Sequence, residues 1–148
     1  MSLKTGLEKL QGIGNTQANS LFDADMERLN DMQFGLLTMF CPGTLATGKF
    51  DAFKFPVDVY LEQVQFFAKT APVGSSVDIK FWVGGVLDAE AFSLPDGSAQ
   101  AFVNSTSNTN NGILVTAGLL IEPDIVQVGS GTAGADATIR LRYRKRVI

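Results

Sequence analysis

Asp23-x-Asp25, followed by Glu27 and Asp31, is the densest run of carboxylates in the chain, and a divalent cation would need hard oxygen ligands gathered in this way. On a helix these side chains radiate in different directions, and no glycine-turned loop collects them, so helix capping and solvation account for the run. Gly129-Ser130-Gly131-Thr132-Ala133-Gly134 has the glycine density of a phosphate-binding loop. It lacks the Gly-Lys-Ser/Thr ending, and strand-like sequence follows it where a helix N-terminus would have to hold the anion, so it reads as a hairpin connection. Gly12-x-Gly14 has neither a preceding strand nor a third glycine. Cys41 is the single cysteine, has no partner for an intrachain bridge, and beside Pro42 reads as a small buried or junctional residue rather than a nucleophile.

Histidine is absent, which removes the Ser-His-Asp and Cys-His arrangements, the usual zinc sites and the commonest general base. Fifteen acidic residues could always supply a carboxylate pair, but none is marked by spacing or context. No enzymatic activity, cofactor or metal is therefore expected.

Three features suit recognition instead. Arg140, Arg142 and Arg144 share one face of a strand, opposite Ile139, Leu141 and Tyr143. Three guanidinium groups at that spacing repel one another unless carboxylates lie across from them. Asp78 or Glu62 within the fold, or an acidic patch on another subunit, would serve. Trp82 alternates with Phe81 and Val83 and lies on the side of Asp78 and Lys80, where it is either an interface anchor or sugar-stacking platform, or is covered by an N-terminal helix. Asn104 to Gly112 is a polar loop, a solvated connector or a contact to a sugar, a receptor or a neighbouring subunit.

Residues 1 to about 15 carry Leu3, Leu7, Leu10 and Ile13 among three glycines, which predicts an arm whose apolar side chains dock onto a neighbour. From about Asn19 to Phe40, apolar positions Phe22, Met26, Leu29, Leu36 and Phe40 recur at steps of three and four with Gln33 among them, predicting one amphipathic helix capped by Ser20 and ended by Cys41-Pro42-Gly43. Beyond Gly43 the chain reads as β. Val57 to Phe67 has two mixed faces, as in a long bent strand, and Val77 to Val83 alternates cleanly. Gly84-Gly85 and Pro95-Asp96-Gly97 read as turns, and strands are predicted over Phe50 to Phe55, Val86 to Phe92, Ile113 to Ile121, Asp124 to Val128 and Thr138 to Val147. The predicted architecture is mainly β: residues 1–43 form an arm and helix, and residues 44–148 an antiparallel β-sandwich or jelly-roll-like domain.

The 148 residues suffice for one core without disulfides. Five of the twelve Lys and Arg residues lie in the last nine positions, leaving seven against fifteen acids before them, a balance of −8. An acidic body with a basic end suits another protein or another copy better than nucleic acid. No apolar run approaches a membrane span, and the first residues lack a secretory signal, so a soluble, unprocessed chain is expected.

Phe53-x-Phe55-Pro56, Thr70-Ala71-Pro72-x-Gly74-Ser75-Ser76-x-Asp78-Ile79, Asp124-Ile125-x-Gln127-Val128-Gly129-Ser130 and Asp136-x-Thr138-Ile139-x-Leu141-x-Tyr143-Arg144 form an ordered set of blocks between Gly48 and Arg144. This order resembles the β-sandwich module of small virion proteins of tailed bacteriophages, both head-decoration or cement proteins and fibres. The resemblance implies a structural protein made in the bacterial cytoplasm and carried in the virion. It would bind the major capsid protein or another virion protein as a homo-oligomer, most simply a trimer, with no nucleic-acid or membrane partner. The candidate interface is Leu3, Leu7, Leu10, Ile13, Leu29, Leu36, Phe40, Trp82, Arg140, Arg142 and Arg144. The alternative it implies is a short fibre or adsorption module touching host carbohydrate through Trp82 and the Asn104 to Asn111 loop.

Overall fold

The structure, a computed structural model, describes residues 34–107 and 111–146. Ten strands follow one another among them: β1 (Phe34–Thr44), β2 (Gly48–Lys49), β3 (Val59–Thr70), β4 (Val77–Val83), β5 (Val86–Leu87), β6 (Phe92–Leu94), β7 (Gln100–Asn104), β8 (Ile113–Val115), β9 (Ile121–Gln127) and β10 (Ala135–Lys145). The first sheet runs β1-β10-β3-β7, with β8 also on β3, and the second runs β2-β9-β4-β5, with β6 also on β4. The two antiparallel sheets pack face to face as a β-sandwich.

Period-two alternation decides which side chains fill the interior. Val64, Phe66 and Ala68 on β3 face inward with Ala137, Ile139 and Leu141 on β10, while Val77, Ile79 and Phe81 on β4 and Ile121 and Ile125 on β9 face them from the second sheet. Phe81 and Phe92, both fully buried, meet edge-on with centroids 5.7 Å apart. Each such apolar side chain contributes about 1.5–3 kcal/mol on leaving water, which makes this interior the main source of stability.

The chain changes sheets repeatedly, and the connections do the closing. Between β9 and β10, Val128 to Gly134 crosses from the second sheet to the first, so this glycine-rich stretch is an inter-sheet crossover and not the expected hairpin. Its glycines let backbones touch. A Cβ on Gly129 would strike the Thr132 carbonyl, and the Gly131 and Thr132 amides both donate to the Val73 carbonyl, at 2.8 and 3.1 Å. Gly84-Gly85 and Pro95-Asp96-Gly97 are turns as expected, with Gly84, Gly85 and Gly97 at positive φ.

The strands expected over Val86 to Phe92 and Ile113 to Ile121 are each interrupted, by residues 88–91 between β5 and β6 and by residues 116–120 between β8 and β9, and three other expected elements differ. The helix predicted to run to Phe40 does not: Phe34–Thr44 is a strand of the first sheet, so the sandwich takes in Leu36 and Phe40 and starts before residue 44. Leu37, Met39 and Cys41 point inward and Leu36, Thr38 and Phe40 outward. A strand apolar on both faces satisfies a three-four step as readily as a two step, and the poor helix formers Gly35 and Thr38 were the sign that strand would win. Gly35 also leaves room for the Tyr143 ring, which a Cβ there would strike. The arm, with Leu3, Leu7, Leu10 and Ile13, and the predicted helix as far as Gln33, with Leu29, lie outside the described residues. Secondly, Phe50 to Phe55 forms no strand and contributes one bridge, Phe53 to Ile121. Thirdly, β9 runs through Pro123, where a break was expected. The Pro123 carbonyl accepts from the Phe50 amide at 3.0 Å, so its missing N–H points to the side where β2 pairs over only two residues.

Phe81→Ala should lower unfolding stability by about 3–5 kcal/mol, because a ring packed against Phe92 leaves a cavity that the two sheets cannot close. Urea denaturation followed by tryptophan fluorescence checks it, and a loss under 1 kcal/mol would contradict this packing.

Candidate functional site

Between two paired stretches, β3 carries one residue more than β10. Gln63 opposes Arg142 and Leu61 opposes Tyr143, so Glu62 has no opposite number. Such a bulge re-aims the extra side chain, and here the Glu62 carboxylate reaches the outer face between two arginines, 2.8 Å from Arg142 Nε and 3.1 Å from Arg144 Nε. The repulsion built into the alternating arginines is offset by this one carboxylate. Of the two carboxylates within the fold that could face them, Glu62 does, whereas Asp78 stands on the second sheet and accepts from the Ser76 hydroxyl at 2.7 Å.

The remaining side chains of this face stack or bond in rows across the strands. The Arg144 guanidinium lies 4.4 Å over the Tyr60 ring and Arg140 lies 5.3 Å over Phe67, which meets Phe102 of β7 edge-on at 5.6 Å. Gln65 Nε2 donates to Gln63 Oε1, and Gln63 Nε2 donates to Asn104 Oδ1, both at 2.8 Å. Arg140 is exposed, and among the described residues no carboxylate pairs with it. Phe102 is 55 % exposed at one margin of the face, and Leu36 and Phe40 project from β1 at the other. The first sheet thus brings together Leu36, Phe40, Arg140, Arg142 and Arg144 from the sequence-derived set. It does not bring Trp82 to them.

Trp82 stands on the outer side of the second sheet and is only half-exposed. Its Nε1–H donates to Asp124 Oδ2 at 2.9 Å, and Lys49 Nζ sits 4.4 Å from the ring centroid while reaching Glu122 at 3.4 Å. One ring face and the only polar atom of the indole are thereby engaged within the fold. What the ring can still offer a ligand is its remaining face and edge.

Glu90 organises the base of the Asn/Ser/Thr loop, and nothing in the sequence had singled it out. Its carboxylate accepts from Ser105 Oγ at 2.6 Å, from the Thr106 amide at 2.7 Å and from the Ser107 hydroxyl, while the Glu90 amide donates to Asp88 Oδ1 at 2.9 Å. Partial burial alone would push the Glu90 carboxyl up, but the donors from Ser105, Ser107 and Thr106 outweigh it and leave the group below its ordinary value. The available signal was the run Ser105-Thr106-Ser107, three hydroxyls that need an acceptor once the loop is folded against the sheet.

Cys41 is half-buried beside an open depression of about 340 Å³ that Phe40, Pro42, Lys49 and Asp51 also line. Burial, then the Asp51 charge, pushes its thiol up, so it is protonated and a poor nucleophile at neutral pH. Among the described residues no group of carboxylates or thiols is arranged to hold a metal ion, and no helix is long and apolar enough to cross a membrane.

No protein-family model and no curated protein matches the chain. A similar solved structure, described as "Bacillus endospore appendages form a novel family of disulfide-linked pili", is 14 % identical over 77 % of this chain and 88 % of that one, with a TM-score of 0.41.

Two outcomes follow from the geometry. Glu62→Gln should cost on the order of 1 kcal/mol in dilute salt and less in concentrated salt, since both its ion pairs are partly exposed and screened; denaturant midpoints at two ionic strengths measure this. Glu90 holds its proton less tightly folded than unfolded, so it stabilises the fold above its ordinary value near 4.5 and loses that contribution as pH falls through its lowered folded value. The stability gap between the natural protein and Glu90→Gln should therefore be widest at neutral pH and shrink by pH 3. A gap that widens on acidification would contradict the clamp.

Proposed function

We propose that the chain is a structural virion protein of a tailed bacteriophage, of the head-decoration or cement type, which adheres to the shell and carries out no reaction. The observation that carries this reading is the outer face of the first sheet. Aromatic, arginine and amide side chains are arrayed there on a rigid ladder, with Phe102 and Arg140 exposed and Arg142 and Arg144 held in place by Glu62. Aromatic residues and arginine are the types enriched where proteins meet, and side chains already fixed by internal bonds lose little freedom on binding.

The mechanism is additive burial. A shell under internal pressure gains stability when each bound copy covers seams between its subunits, and many copies multiply a modest contact. Three arginines against one glutamate leave this face positive, which suits an acidic capsid surface. The engaged Trp82 indole gives the adsorption alternative less to work with, since a sugar platform needs an open ring face.

Purified full-length protein should co-sediment with DNA-filled, expanded phage heads and not with host cells or their polysaccharide. Phe102→Glu and Arg140→Glu should each weaken head binding at least tenfold while leaving the melting temperature within a few degrees. Binding to cells with none to heads would replace this reading with adsorption.

A further inference from the structure

A sheet is open to another chain along its edges, and this sandwich treats its edges unequally. The second sheet ends on β2, β5 and β6, strands of two or three residues that cannot template another strand. On one side the first sheet ends on five-residue β7 and three-residue β8, but on the other it ends on β1, which is eleven residues long. No charged side chain occurs in β1, and its one proline, Pro42, stands near its end. Leu36 is 54 % and Phe40 58 % exposed on its outer side. Among the described residues no strand pairs with its far edge. Soluble proteins ordinarily blunt such an edge with lysine, a central proline or a bulge.

We infer that this edge pairs antiparallel with β1 of a second copy, about a two-fold axis through Thr38, joining two first sheets into one continuous sheet. The register follows from the residues. With Thr38 opposite its own counterpart, Leu36 of each copy faces Phe40 of the other on the outer side, and Leu37 faces Met39 on the inner side. An axis at Met39 would set Phe40 against Thr38 and Leu36 against Pro42, and an axis at Leu37 would set Leu36 against Thr38. Only the Thr38 axis matches apolar with apolar and hydroxyl with hydroxyl.

A second copy also suits the charge and the area. Each strand is uncharged, so pairing them desolvates no ion. A ladder of about seven residues with four half-exposed apolar side chains covers on the order of 1,000 Å², the lower limit for a specific interface. The association is therefore concentration-dependent. A two-fold contact of this kind is self-complementary and closes on itself, so it builds dimers, where the trimer implied by the phage resemblance needs a heterologous contact. The inference concerns the edge alone and stands whatever the outer face binds.

Sedimentation of the full chain over a concentration series should show its mass rising towards twice that of the protomer, and Phe40→Lys should raise the dissociation constant at least tenfold with the fold unchanged by circular dichroism. Should that variant misfold, Leu36→Lys gives the same reading. In a Cys41→Ser background, Thr38→Cys should form a covalent dimer on mild oxidation, because directly opposed strand residues lie about 4.5–5.5 Å apart at Cα, within disulfide reach. Gln100→Cys, on β7, should not. A chain that stays monomeric at every concentration, a trimer, or a dimer that Phe40→Lys leaves intact and Thr38→Cys fails to cross-link would each overturn the inference.

Discussion

The pairing of β3 with β10 is the constraint on which the rest of the sandwich depends. It is a long ladder interrupted by one bulge, running from Ala135 opposite Thr70 to Lys145 opposite Val59, and both strands lie inside the first sheet with neighbours on their far sides. β7 and β8 attach to β3, and β1 attaches to β10. Its inward residues supply about a third of the core, seven of nineteen side chains among the described residues, and its outward residues supply the arginines, the amides and Phe67. A slip of one residue would exchange these two sets, burying guanidinium groups and exposing Ile139 and Leu141, so the register is fixed by the cost of that exchange.

Within that ladder the bulge at Glu62 converts a packing irregularity into electrostatics. Without the extra residue the carboxylate at this position would alternate to the inner side, where it would have to be neutralised or paired in a dry core. With it, the carboxylate reaches the outer face, where two arginines need it, and the Glu62 carbonyl accepts the Ser105 amide at 2.8 Å. The same residue thus ties the arginine face to the loop that Glu90 holds from the opposite direction. Specific side chains therefore maintain the surface and the loop base in one shape.

Much of this was legible in the sequence where a single period was present. Val77 to Val83 and the Arg140 to Arg144 strand alternate without interruption, and the turns at Gly84-Gly85 and Pro95-Asp96-Gly97 carry residues suited to positive φ, so these elements and the β-sandwich class could be read directly. β1 was misread because apolar residues occupy both of its faces, and its partner β10 lies about a hundred residues away. The Val128 to Gly134 crossover looks like a hairpin locally, since the choice of sheet is settled by contacts with Val73 that no local pattern records. Glu90 was missed for a similar reason: its three donors follow fifteen to seventeen residues later and meet it only when β6 and β7 have been placed. Charge alone makes Glu62 a partner for the arginines in the sequence, and the bulge that allows the contact has no signature of its own.

The distance along the chain between β3 and β10 also bears on how the protein is made. Thr70 and Ala135 are paired neighbours in the fold, so about 65 residues must still be added after β3 leaves the ribosome before its central partner exists. At bacterial or eukaryotic elongation rates that is a wait of roughly 3–13 s. Throughout it Phe66, Val64 and Leu61 face water on a strand with an open side. The nascent chain thus carries an apolar strand face with nothing to cover it, and premature association with its polysome neighbours is the hazard that this topology sets.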